Sequence, residues 1–406
     1  MTQRNGPLAG IKVLELAHVM AGPACGRLLA DLGADVIKLE RPEGEDARRM
    51  APPWHGDEAA GFLMMNRNKR GIAVNLKAEA GKDIVRRLVQ QSDVLIENFR
   101  TGTLDRLGLG YSALSALNPK LIFCEISGYG RTGPYAEKGG FDLVAQAMSG
   151  LMSVTGEGPG REPVKAGVPI GDIGAGLFAT IGVLAALRER DKTGKGQRVD
   201  TSLFEAASAF MLWPAAMQIA SGEQPQPMAS AHPLDAPYQA FQASDGWFIV
   251  GAANQANWLR LIKAMDAEYL QDDPRFHSNP ARVENLAQLV DTLTPLFKRR
   301  SRVDWMERLD AAGVPTGPIN NVADMLADPQ LKARGMIRNT KHPSLGDVAT
   351  LGLPIRFSDT EISIERPAPR LGEHNIEILQ GLGFSQDEIE ALFDSGAITN
   401  AAGNSS

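Results

Sequence analysis

Short apolar runs alternate with helical spacing from the start of the chain. Residues 11–16 (IKVLEL) read as a buried strand, residues 23–32 as a helix stopped by Gly33, and residues 35–39 (DVIKL) as the next strand. Residues 79–91 are helical, residues 94–96 form a short strand, residues 111–117 a helical turn and residues 120–126 another strand. This alternation predicts an α/β fold with a parallel, Rossmann-like sheet. A helix over residues 142–151 and a glycine-rich helix from 173 to about 188 follow, then a turn, strand and helix in TGKGQRVDTSLFEAA.

The pattern changes at SGEQPQPMASAHP, a proline-rich linker. Beyond it YQAFQASDGWFIVGAAN alternates as strands around the turn Ser244-Asp245-Gly246, and helices are expected over 258–270 and, with breaks, 282–309. GVPTGPINN reads as a return to the style of the first domain, and SLGDVATLGLPIRFS as strands. The expected division is a large Rossmann-like domain begun by residues 1–220, a smaller α+β domain with its linkers over 221–325, and a return to the large domain over 326–406, with a frayed tail from 401.

Charge narrows the function classes. The 406 residues carry a formal net charge of -6, so nothing suggests the basic face that nucleic acid requires. Cys25 and Cys124 stand in apolar surroundings without metal or disulfide spacing, as in a reducing compartment. Residues 173–187 and 206–222 are free of charge, but the first is short for a membrane span and holds three glycines, and the second contains Pro214 and Gln218. Both read as packed helices of a cytoplasmic protein with no membrane partner.

The first βα turn, His18-Val19-Met20-Ala21-Gly22-Pro23, lacks the G-x-G-x-x-G that lets a pyrophosphate approach, so a nicotinamide cofactor is not expected. Basic residues (Arg41, Arg67, Lys69, Arg70, Lys77, Arg100, Arg106) gather near predicted strand ends, where a phosphorylated ligand or merely solvent could meet them. Asp172, in Gly171-Asp172-Ile173-Gly174-Ala175-Gly176, opens an apolar helix. Aspartate there can be a simple cap. The flanking glycines would also leave room for a bulky group, and free N–H groups at the helix start would steady an oxyanion. Asp142 likewise reads as a cap. The six histidines are scattered, and no metal-binding spacing exists.

Several segments together resemble the family III CoA-transferases: PLAGIKVLELAHVMAGP, GADVIKLERPEGEDAR, NRNKRGIAVNLK, VLIENFRTGTLDRLGLGY, ISGYGRTGP and GVPIGDIGAGLFATIGVLAAL. The resemblance runs from Pro7 to LGEHN near the C-terminus. It implies that Asp172 is the catalytic nucleophile, that Arg41 and Arg106 hold CoA phosphates, that Val74 and Lys77 lie by the adenine, and that Asn98 and Phe99 lie along the CoA arm. It implies an interlocked homodimer, CoA and acyl-CoA as substrates, a small carboxylic acid as partner, and no permanently bound cofactor. Phe141 replaces the histidine of the racemases in this superfamily, and Met20 replaces the glutamine of formyl-CoA transferases, which disfavours epimerisation and formate or oxalate. The motifs are most like succinyl-CoA–dicarboxylate transferases of the glutarate type. The expected activity is therefore CoA transfer from an acyl-CoA to a dicarboxylate through aspartyl adducts. An acyl-CoA epimerase or isomerase, or a CoA-binding protein without turnover, is the alternative. Arg48, Arg49, His18, His232 and Tyr238 are the candidates for meeting a second carboxylate.

Overall fold

Six strands form one wholly parallel sheet: β1 (Lys12–Glu15), β2 (Asp35–Glu40), β3 (Lys69–Ala73), β4 (Val94–Glu97), β5 (Ile122–Ser127) and β6 (Arg198–Ser202), in the order β3-β2-β1-β4-β5-β6. This computed structural model describes residues 5–399, so the tail from 401 lies outside it. The strand order is that of a doubly wound nucleotide fold, and it reverses direction between β1 and β4. Alternate residues of β1 serve opposite faces, as strand pleating requires. Val13 joins Val36, Ile96 and Cys124 in one apolar cluster, whereas Leu14 joins Ile72, Leu95 and Phe123 in another.

Strand β3 is absent from the expectation because Lys69 and Arg70 interrupt its apolar pattern. Both are buried and compensated. Lys69 Nζ donates to Glu15 at 3.0 Å, to Asn66 Oδ1 at 2.9 Å and to the Pro23 carbonyl at 3.1 Å. Arg70 grips Asp35 with two bonds and pairs with Glu377 at 3.0 Å. Lys38, on β2, reaches the same Glu15 and also Glu45 at 2.7 Å. Burial pulls the Lys69 ammonium down to about 8 against the opposing pull of Glu15, with Lys38 adding to the fall.

Helices α1 (Ala21–Asp31), α2 (Glu79–Gln91), α3 (Asp142–Met148), α4 (Ile170–Thr193) and α5 (Leu203–Ala209) accompany the sheet. Helix α1 starts two residues before Pro23, which therefore sits in the first turn, where its missing N–H costs nothing. Helix α4 is longer than its apolar run suggests and ends at Gly194, whose φ of 71° suits a glycine stop. It is long and apolar enough to cross a membrane by length and composition, but half of its most apolar stretch is buried inside the fold.

The chain divides into two compact units. Among the described residues, the first comprises those up to Leu151, Lys165–Ala215, and those from Gln330 on. It includes an antiparallel hairpin, Ile337–His342 with Gly346–Leu351, of which only the second strand lies in the stretch read as strands. The second unit comprises Met152–Val164 and Ala216–Pro329. Its hairpin, Tyr238–Ala243 with Gly246–Gly251, turns at the expected Ser244-Asp245. Thr316–Pro318, in GVPTGPINN, adds the third strand of that sheet instead of rejoining the first unit. Phe241, Phe248, Trp258, Phe297 and Trp305 fill its core.

Candidate active site

Open α/β sheets bind ligands beyond the carboxyl ends of their strands, where the order reverses. Here that point lies between β1 and β4, and a side chain from one turn clasps the backbone of the other. Asn98, after β4, accepts from the His18 N–H at 2.9 Å and donates to the His18 carbonyl at 2.8 Å. The His18 ring meets Phe99 edge-on, with centroids 4.7 Å apart. Next to it Val19 takes a φ of 65°, a left-handed conformation costly for a β-branched residue. Its N–H is held by Glu45 at 2.6 Å, and Glu45 is itself pinned by Lys38. A buried ion pair thus does for this turn what glycines do in a dinucleotide-binding turn.

Two cavities meet at this clasp. One, of about 250 Å³, is lined by His18, Met20, Asn98, Phe99, Phe141 and Asp172, with Arg100, Lys138 and Asp142 also on its wall. The other, of about 570 Å³, is lined by Arg41, Val74, Lys77 and Arg106, together with Leu39 and Leu107. His18 and Phe99 border both. Arg48 and Arg49 aside, the structure therefore brings together ten of the twelve site residues singled out from the sequence. The remaining two, His232 and Tyr238, belong to the second unit, where their rings stack with centroids 5.3 Å apart and His232 lies 3.2 Å from Asp235.

The basic cluster separates into two kinds. Arg41, Lys77 and Arg106 are exposed and line the larger cavity, Arg41 in an exposed pair with Asp46. Arg67, Lys69 and Arg70 are buried and hold the fold; Arg67 is paired with Asp31 at 2.6 Å. Arg48 is equally committed, since it reaches both oxygens of Glu40 at 2.7 Å, Glu58 at 3.3 Å and the Pro369 carbonyl at 2.9 Å. Glu40, which ends β2 where a ribose carboxylate would sit, is correspondingly occupied. Arg49 is exposed and pairs with Asp46.

Asp172 stands in the first turn of α4, half-buried, facing the smaller cavity. Its surroundings differ from the expectation in two respects. Asp142 Oδ1 accepts from the N–H groups of Gly171 at 2.8 Å and Asp172 at 3.3 Å, and the Ile170 N–H donates to the Val168 carbonyl. The first N–H groups of α4 are thus taken and do not await an oxyanion. The glycines are also not room for a ligand. A Cβ on Gly174 would meet the Phe210 ring at 2.5 Å, and one on Gly176 would meet Ala24 Cβ at 2.7 Å and the Ala21 carbonyl at 2.8 Å. They let α4 press against α1 and Phe210. Asp142 lies at the start of α3 yet caps α4, and Gln146 donates to its second oxygen at 2.6 Å.

Burial, reinforced by the nearby Asp142, pushes the Asp172 carboxyl up to about 7. Burial lowers the His18 ring from its ordinary value, and Lys38 lowers it further against Glu45 and Asp46, so neutral imidazole faces the cavities. A carboxylate raised by desolvation is a stronger nucleophile once ionised, and a half-enclosed carboxylate suits attack on an acyl carbon. Among the described residues, no group of three His, Cys, Asp or Glu side chains is placed to hold a metal ion.

Comparison with known proteins identifies the family. A model of CoA-transferase family III matches residues 8–375. The chain is 38% identical over 394 residues to the human succinyl-CoA:glutarate CoA-transferase, covering 97% of this chain and 90% of that one. It is 40% identical over 392 residues to the succinate–glutarate CoA-transferase of Agrobacterium fabrum, covering 94% and 97%. Among solved structures, a CAIB/BAIF family protein from Brucella suis is 46% identical and superposes with a TM-score of 0.85, covering 93% of this chain and 100% of that one.

Proposed function

The chain belongs to the family III CoA-transferases, and on that premise we propose that it moves CoA from an acyl-CoA, succinyl-CoA foremost, to a free dicarboxylate, with Asp172 as the covalent carrier. The observation that carries this reading is the junction of the two cavities at His18 and Phe99. The larger has exposed cations for phosphates and an apolar floor for the adenine. The smaller presents a carboxyl group with a raised pKa. A CoA thioester laid across the junction would place its acyl carbon by Asp172. Relatives 38% and 40% identical carry names that pair succinyl-CoA or succinate with glutarate, which supports a dicarboxylate as acceptor.

The chemistry runs in balanced steps. Ionised Asp172 attacks the thioester carbonyl, the C–S bond breaks, and CoA thiolate leaves a mixed anhydride. The thiolate attacks the aspartyl carbonyl, and the donor acid departs as carboxylate. The acceptor carboxylate attacks the aspartyl-CoA thioester, expelling thiolate again, which then cleaves the second anhydride at the acceptor's carbonyl and restores Asp172. No net proton moves. Each step exchanges one good leaving group for another, which is what covalent catalysis gains. Water must be excluded while the anhydride exists. Phe141 puts a hydrocarbon ring in the cavity where related racemases have histidine, which argues against α-proton abstraction. The reading includes an interlinked homodimer in the cytoplasm, so dilution should yield no folded, active monomer.

The experiment offers succinyl-CoA with glutarate, malate, itaconate or butyrate and identifies product CoA esters by mass. Dicarboxylates should show the higher kcat/KM. Butyrate turned over as well or better contradicts the assignment.

A further inference from the structure

We propose that Arg100 is the side chain that binds the distal carboxylate of the acid being exchanged, and so sets the preference for dicarboxylates. This rests on the assignment of the Asp172 cavity as the acyl site. A second carboxylate entering a partly enclosed cavity loses hydration and needs a cation or several donors in return. The candidates drawn from the sequence do not supply one. Arg48 is consumed by Glu40 and Glu58, Arg49 lines neither cavity, and His18 is held toward its neutral form.

The cavity wall contains two other cations, Arg100 and Lys138. Lys138 lies over the Tyr135 ring, 4.0 Å from its centroid. Arg100 is exposed, and among the described residues its guanidinium makes no ion pair. It rests against the loop beside Lys138, where a Cβ on Gly139 would stand 3.5 Å from Nη2. Arg100 and Lys138 thus put two positive charges on the wall of one cavity, an arrangement that favours an anion. The acids of the Asp172 cavity, and two beside Arg100 in a neighbouring pocket, are committed. Asp142 is engaged by backbone N–H groups and Gln146, Asp172 is the attacking group, and Glu97 and Glu125 are paired with Arg131 and Arg198. Arg100 also follows Asn98 and Phe99 directly, so its backbone is fixed by the clasp on His18. A planar guanidinium donates two parallel hydrogen bonds to a carboxylate, which an ammonium cannot do.

The test compares glutarate with valerate, which has the same carbon count and one carboxylate, as acceptors for the native enzyme, R100Q and R100K. Thermal melts establish that the variants fold. R100Q should lower kcat/KM for glutarate by about 10- to 100-fold, the worth of a charged hydrogen bond, mainly through KM, while valerate changes little. R100K should recover part of the loss. A parallel measurement follows the KM for butyryl-CoA, whose acyl group has no second charge. If that KM rises and the glutarate-to-valerate ratio stays constant, Arg100 serves a CoA phosphate and the proposal is overturned. R100Q with unchanged preference, or unable to fold alongside R100K of unchanged preference, also overturns it. A native enzyme that does not prefer glutarate refutes the dicarboxylate assignment itself, and Arg100's role with it.

Discussion

One oxygen of Asp142 accepts the backbone N–H of Asp172 at 3.3 Å, so an acid on one helix caps the next helix directly beneath a second acid. The contact fixes where Asp172 stands and adds a negative charge to the burial that already resists its ionisation.

Asp142→Asn therefore has a signed consequence. Asp172 attacks only when ionised, so kcat/KM should rise with pH through about 7 in the native enzyme. The asparagine carbonyl can still cap α4, although its amide now faces the Gln146 amide and one bond is lost. With the charge removed, the acid limb of kcat/KM should move to lower pH. It should stay above the range of an ordinary aspartate, because burial is the larger cause. Measured pH profiles with an unmoved limb would mean that Asp142 does not tune Asp172.

The same shift bears on stability. A carboxyl whose folded pKa is raised contributes stability that is present below its unfolded pKa and is lost as pH rises through the folded value. For Asp172 that loss falls between about pH 4, the unfolded value, and about pH 7. Asp172→Asn should thus melt higher than the native protein at pH 8, and the difference should shrink as the pH is lowered toward 4. A variant that melts lower at pH 8 would place Asp172 in a setting that favours its charge.

Much of the fold is legible along the chain, because most sheet strands are apolar runs and most helices have clear spacing. Strand β3 is not, since Lys69 and Arg70 look like solvent-facing residues until Glu15 and Asp35, distant in sequence, are found opposite them. The site is legible mainly through motifs. Periodicity says nothing of Asp142 capping a helix some 30 residues on, and the glycines around Asp172 look like space for a ligand when they are contact points for Phe210 and α1. Arg100 stands in the sequence as one of seven cations, and its place on the wall of the Asp172 cavity sets it apart from the other six.

Lys69→Met tests the buried charges. It removes one of two ammonium groups from Glu15 and leaves Asn66 Oδ1 without its donor. Breaking such a buried pair costs about 3–5 kcal/mol. Denaturant unfolding should show a loss of that order, and a loss below about 1 kcal/mol would mean that the pair is dispensable.

The central claim is that Asp172 becomes covalently attached to CoA. The most direct measurement incubates the enzyme with succinyl-CoA and no acceptor, then quenches in hydroxylamine and maps the peptides by mass. The account predicts an aspartyl hydroxamate on the peptide containing Asp172, release of succinate, and no adduct in Asp172→Ala, which should still bind CoA. A hydroxamate on another residue, or rapid exchange by Asp172→Ala, would contradict it.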